Sequence, residues 1–172
     1  MRLLSLVFCA SALLLAEQAG GIKWTAPAAW KAQAGRPMRA ATYTVPATAG
    51  DPEPGEVAVF YFGPGQGGGV EANIQRWVGQ FQTADGKPAA GKEKTGKRTV
   101  NGIPVTTIDL TGTYTAAGGP MATTKSNKPN YRLLGAIAEG SQGAVFFKFT
   151  GPAKTVAANQ PGFEALIKSL AK

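Results

Sequence analysis

Gly63, Gly65 and Gly68 fit the spacing G-x-G-x-x-G inside "VFYFGPGQGGGVEANIQRW", a pattern that can hold a phosphate. The chemistry needs a strand before the glycines and a helix after them, so that backbone amides at the helix N-terminus meet the anion. An apolar run from Glu56 to Phe62 and an amphipathic stretch from Val70 to Phe81 supply both. The rest of a dinucleotide site is missing. Asp85 and Glu93, the acidic residues that follow, lie in polar, basic, loop-like sequence rather than at the end of an apolar strand. No Gly-Lys-Ser/Thr follows, which removes a P-loop. With 23 glycines in 172 residues a chance match is expected, so the motif reads as a turn that exploits positive φ. Gly65 and Gly68, with Arg76 one to two turns into the helix, remain candidates for a simple anion contact.

Other chemistry is scarce. The chain has no histidine and a single cysteine, Cys9, which removes the commonest general base and most metal and thiol sites. Asp51, Glu53 and Glu56 cluster in "DPEPGE", but Pro52 and Pro54 interrupt them and the spacing is not that of a calcium loop. No catalytic residue, metal or cofactor is expected. Asp109 sits inside the strand-like "TTIDLTG"; facing inward it needs a partner such as Arg39 or Arg132, and an outward or edge position is the one expected. Arg39, Arg132 and Tyr114 are the remaining candidates for ligand contact, set among aromatics that mostly fill a core.

These residues must be positioned by strands and two helices. Strands are expected at Met38 to Val45, Glu56 to Phe62, Lys97 to Val100, Ile103 to Tyr114, Tyr131 to Gly140 and Gly143 to Gly151, with a short one near Trp24. Asn101-Gly102 between two β-rich runs signals a tight hairpin. Val70, Ile74, Trp77, Val78 and Phe81 recur at helical spacing and predict a helix over 70–81. A second helical region runs from Pro152 to Lys172, where Pro161 and Gly162 are expected to break it in two. Residues 115–130 read as a long loop. The pattern implies an α+β domain, with a mostly antiparallel sheet of about six to seven strands flanked by two main helices.

The N-terminus predicts export. Met1 and Arg2 precede an apolar run of about 14 residues, Leu3 to Ala16, too short to span a bilayer and suited to a signal peptide. Residues 1–20 are thus expected to be removed, leaving 21–172 as one domain without cysteine and without an integral membrane span. The formal charge of +8 invites nucleic acid, but the only dense basic cluster, Lys87 to Arg98, lies in a Gly/Ala-rich stretch and reads as a solvated loop and strand edge. Nucleic acid is therefore not expected as a partner.

The stretches "RPMRAATYTVP", "AVFYFGPGQGGGVEANIQRWVGQF", "NYRLLGAIAE" and "VFFKFTGPAKTV" resemble a group of uncharacterised exported bacterial proteins, which are in turn similar to the PsbP and Mog superfamily. The resemblance covers most of the mature chain. It implies an antiparallel sheet flanked by helices, binding or assembly roles, and no transferable catalytic residue. The expected function is a non-catalytic binding or assembly module of a bacterial periplasm or cell envelope, monomeric, with an unknown protein or an anionic envelope ligand as partner. The competing expectation is a hydrolase using carboxylates and arginines on an acidic polymer.

Overall fold

Asn101 and Gly102 adopt φ of 47° and 76° in the computed structural model, which describes residues 17–116 and 127–172. That left-handed pair builds the two-residue turn joining β7 (Lys94–Val100) to β8 (Ile103–Tyr114), with Val100 opposite Ile103. A second tight turn at Ser141 and Gln142 joins β9 (Lys128–Gly140) to β10 (Gly143–Pro152). With β3 (Lys31–Ala32), β4 (Arg39–Val45), β5 (Gly55–Tyr61) and β6 (Phe81–Gln82), these strands form one eight-stranded sheet in the order β3-β4-β5-β10-β9-β8-β6, with β7 also on β8. Every pairing in it is antiparallel.

The expected six to seven strands thus become eight, and β1 (Glu17–Ala19) with β2 (Ile22–Trp24) adds a separate two-stranded ribbon. The additions are two or three residues long, too short to leave a period-two signature. Residues 1–16, most of the predicted signal sequence, and 117–126, most of the predicted loop, lie outside the described residues.

The central strands read as continuous apolar runs because both faces of the sheet are covered. On one face Val57, Val59, Phe147 and Phe149 pack with Trp24, Trp30 and the buried residues of α2 (Ala153–Lys168). On the other, Ile108, Leu133, Ile137 and Phe146 pack under Ile74, Trp77 and Val78 of α1 (Val70–Val78). Period two then assigns the polar residues: Glu56 and Lys148 share the α1 face, while Asp109, Thr111 and Arg132 share the α2 face.

Both helices depart from expectation. α1 ends at Val78 because Gly79 closes its last turn on Gln75 O, and Phe81 turns away to pair with Tyr114 in β6. α2 runs unbroken through Pro161. A proline there removes one backbone bond, but Val156 before it and Phe163, Leu166 and Ile167 after it are buried on the sheet and hold the two turns in line. Gly162 lets the helix pass close to the Trp30 ring, 3.2 Å from where a Cβ would stand.

Candidate functional site

Arg132 on β9 and Asp109 on β8 are diagonal neighbours on the α2 face. The guanidinium donates from Nε and Nη2 to the two carboxylate oxygens, at 2.8 Å each, and Nη2 also donates to Gln160 Oε1 of α2 at 2.9 Å. Asp109 therefore takes Arg132 as its partner at a half-buried position. Its side chain keeps 35 % of its exposure against 16 % for Arg132. The carboxylate also raises the Arg132 pKa, so the side chain is a fixed cation at any working pH. Its Nη1 has no partner among the described residues.

Arg132 and Asp109 line a cleft of about 480 Å³ with Lys92, Lys94, Thr111 and Ala153, the first residue of α2. Neither Lys92 nor Lys94 makes an ion pair among the described residues. Three cations and a hydroxyl thus face one carboxylate, in an arrangement that can hold a multivalent anion.

A larger cavity of about 640 Å³ lies on the other side of Ala153, walled by Pro52, Pro129, Pro152 and Tyr131. Its carboxylates already have partners, and of its two lysines Lys128 is paired while Lys154 makes no ion pair among the described residues. Lys128 pairs with Glu53 at 2.8 Å and Tyr131 donates to the same carboxylate, and these two bonds, the lysine's first, hold the Glu53 pKa down. Asp51 accepts from the Thr155 amide at 2.8 Å and from its hydroxyl at 2.6 Å, so the first turn of α2 already has its anion.

The glycine loop forms a third place. Gly63, Gly65, Gly67 and Gly68 all have positive φ, between 67° and 101°. A Cβ at Gly67 would lie 2.7 Å from Phe62 and 3.0 Å from Phe146, so the loop is pressed onto the sheet. Its carbonyls turn inward to buried Asn73, whose Nδ2 donates to Gly67 O and Gly69 O at 2.8 and 2.9 Å. Arg76 donates to Asn73 Oδ1 at 2.8 Å, which commits one arm of its guanidinium to holding the loop. Asn73→Ala strands these carbonyls and is expected to cost about 2 kcal/mol in urea denaturation. An unchanged midpoint would show that the loop closes without it.

Arg39 and Tyr114 share the α1 face with Arg36, Glu56 and Lys148. Arg39 donates to Glu56 at 2.8 Å and to Thr42 at 3.3 Å through one nitrogen, Nη1, and Arg36 reaches the same carboxylate at 3.3 Å. Beside them Lys148 of β10 is only 9 % exposed; it donates to Gln80 Oε1 and, at 3.4 Å, to the Tyr114 hydroxyl. Burial pushes its pKa down to about 8, against a smaller opposing pull from Glu56. Tyr114 is pushed up, again chiefly by burial.

No protein-family model matches the chain, and no curated protein matches it in sequence. Among solved structures, that of cyanobacterial PsbP (CyanoP) from Synechocystis matches 96 % of this chain and 98 % of its own, with a TM-score of 0.51 at 9 % identity. The fold is PsbP-like. The crystal structure of PA94, a protein of unknown function from Pseudomonas aeruginosa, covers 87 % of this chain and 90 % of its own at 11 % identity, with a TM-score of 0.49. At such identities the likeness is one of shape and carries no residue role across.

Within this PsbP-like sheet the six sequence candidates fall into three places. Gly65, Gly68 and Arg76 belong to the packed loop, Arg39 and Tyr114 to the α1 face, and Arg132 to the cleft on the α2 face. Lys94 and Thr111 were missed as companions of Arg132 because only the β7–β8–β9 register brings them together, and Lys92 because it lies two residues before β7. Lys148 had a signal: it is the one charge inside the apolar run "AVFFKF". Ser169-Leu170-Ala171-Lys172 carries the spacing S-x-x-K, but the Ser169 hydroxyl accepts from Thr25 N at 2.9 Å and donates to Leu166 O at 2.7 Å, so it closes the end of α2. Among the described residues no group of three or more Asp, Glu, His or Cys is placed to hold a metal ion, and no helix is long and apolar enough to cross a membrane.

Proposed function

We propose that the protein is a non-catalytic binding module of the cell envelope, exported by its apolar N-terminus, that holds a phosphate-bearing ligand in the cleft around Arg132. One observation carries the reading: a guanidinium fixed by Asp109 and Gln160, with Nη1 left over, lines a cleft that two lysines without ion-pair partners also line. Such a cation is oriented before the ligand arrives, so little side-chain entropy is lost on binding.

The carboxylates favour binding over hydrolysis. A general acid needs a carboxyl with a raised pKa. Instead Glu53, Glu56 and Asp109 each sit against a cation, and Glu53 is held low.

Inorganic pyrophosphate is the probe. At about ten times its Kd it is expected to raise the thermal midpoint by about 4 °C at low salt, and by less at high salt. The double variant Lys92→Gln/Lys94→Gln, whose changes are solvent-facing, is expected to lose at least tenfold in affinity. An equal shift in that variant, or none in the wild type, would remove the cleft as the binding site.

A further inference from the structure

We propose that the opposite face of the sheet carries a second site, which takes a planar carboxylate between Arg39 and Lys148. The inference rests on charge and on unused donors, independently of the Arg132 cleft. Arg36, Arg39 and Lys148 bring three cations to this face, and among the described residues the one carboxylate that answers them is Glu56, bound by both arginines. Among the described residues the Lys148 ammonium has two neutral partners, Gln80 and Tyr114, and no carboxylate of its own. A buried charge in that state invites a counter-ion.

Arg39 can present one. Its contacts with Glu56 and Thr42 both use Nη1, so the edge formed by Nε and Nη2 has no partner among the described residues. Two parallel N–H bonds from such an edge match the two oxygens of a carboxylate. Strand geometry sets the span. Arg39 is on β4 and Lys148 on β10 with β5 between them, and Arg39 stands opposite Phe60 but Lys148 opposite Ala58, so their backbones are about 12 Å apart. Two long side chains and one carboxylate fill that distance. The Arg39 side chain keeps 21 % of its exposure, and it marks the open side of the site.

The flanks define the rest of the ligand. Phe60 lies under the Arg39 guanidinium, 5.4 Å from ring centroid to Cζ, and Tyr114 lies 5.2 Å from the Lys148 ammonium. Two aromatic faces at the ends of the site favour a flat body over a bulky one. A planar monocarboxylate meets both requirements.

The titration of Lys148 gives this site a signature. The charged and titratable groups around it are Arg39 from β4, Glu56 from β5, Tyr114 from β8 with Tyr131 of β9 stacked behind it, and Gln80 after α1 supplies a neutral acceptor. At about pH 9 the amine is mostly neutral in the free protein. An anion beside it restores the ammonium, and binding must then draw a proton from the buffer. Arg132, protonated throughout, draws none.

Calorimetric titration of the whole protein with benzoate, in two buffers of different ionisation enthalpy, tests this. Uptake of close to one proton per benzoate is expected at about pH 9 and little at about pH 6. Neutral benzamide is expected not to bind, Arg39→Gln to lose at least tenfold in affinity, and Lys148→Met to lose both affinity and proton uptake. Benzoate binding without proton uptake at about pH 9, unchanged affinity in Lys148→Met, or no binding heat at ~10 mM would each overturn the proposal.

Discussion

Lys148→Met is expected to stabilise the ligand-free protein at pH 7 by about 3 kcal/mol, and the gain is expected to fade by about pH 10. The magnitude follows from the drop in the Lys148 pKa from 10.5 to about 8 on folding. The native state disfavours the ammonium, so between those two values the unfolded chain binds a proton that the native chain does not. Wild-type stability therefore rises with pH across that window, and below it the full cost of the buried charge is present. Methionine fills a similar volume without the charge and is indifferent to the same window. Tyr43 and Tyr131 act later and in the opposite sense. Burial raises both pKa values, helped at Tyr131 by the Glu53 carboxylate and at Tyr43 by Glu17 while residues 1–20 remain, so above about pH 10 the unfolded chain ionises first and stability falls in both proteins. Denaturant melts of the two proteins at about pH 7 and pH 10 separate these effects. Equal stabilities at both values would mean that Lys148 reaches solvent freely.

Gly135→Ala is expected to cost about 3 kcal/mol. A Cβ at this position of β9 would stand 2.5 Å from the Trp77 ring and 2.6 Å from Ile108, both almost fully buried, so neither can give way cheaply. Trp77 is the main knob of α1 on the sheet, and Gln80 follows it by three residues. Lifting α1 therefore also pulls Gln80 from Lys148. A smaller residue at 77 relieves the clash, so Gly135→Ala/Trp77→Leu is expected to be at least 1 kcal/mol more stable than the sum of the two single changes. Strict additivity in denaturant melts would show that the glycine is needed for some other reason.

These two positions also mark where sequence reasoning succeeds and where it stops. The helical spacing of Ile74 and Trp77 announces an apolar face, and Asn101-Gly102 announces its hairpin, because both are signals within a few residues. That Trp77 lands on a glycine 58 positions later is a matter of sheet register, which no local pattern encodes. The same holds for the cleft. Lys94, Asp109 and Arg132 are ordinary strand residues until β7, β8 and β9 lie side by side. Pro161 misled for the opposite reason. Its local rule is sound, but the burial of Val156 and Phe163 outweighs one lost backbone bond. The glycine motif was decided by Asn73, whose amide gathers in the carbonyls of the turn.

The claim that an anion occupies the Arg132 cleft is tested most directly by following backbone amide resonances during a titration with pyrophosphate. The expected shifts centre on Lys94, Thr111, Arg132 and Ala153, and saturate together. Shifts centred on Gly65 and Gly68 instead, or none at saturating probe, would contradict the account.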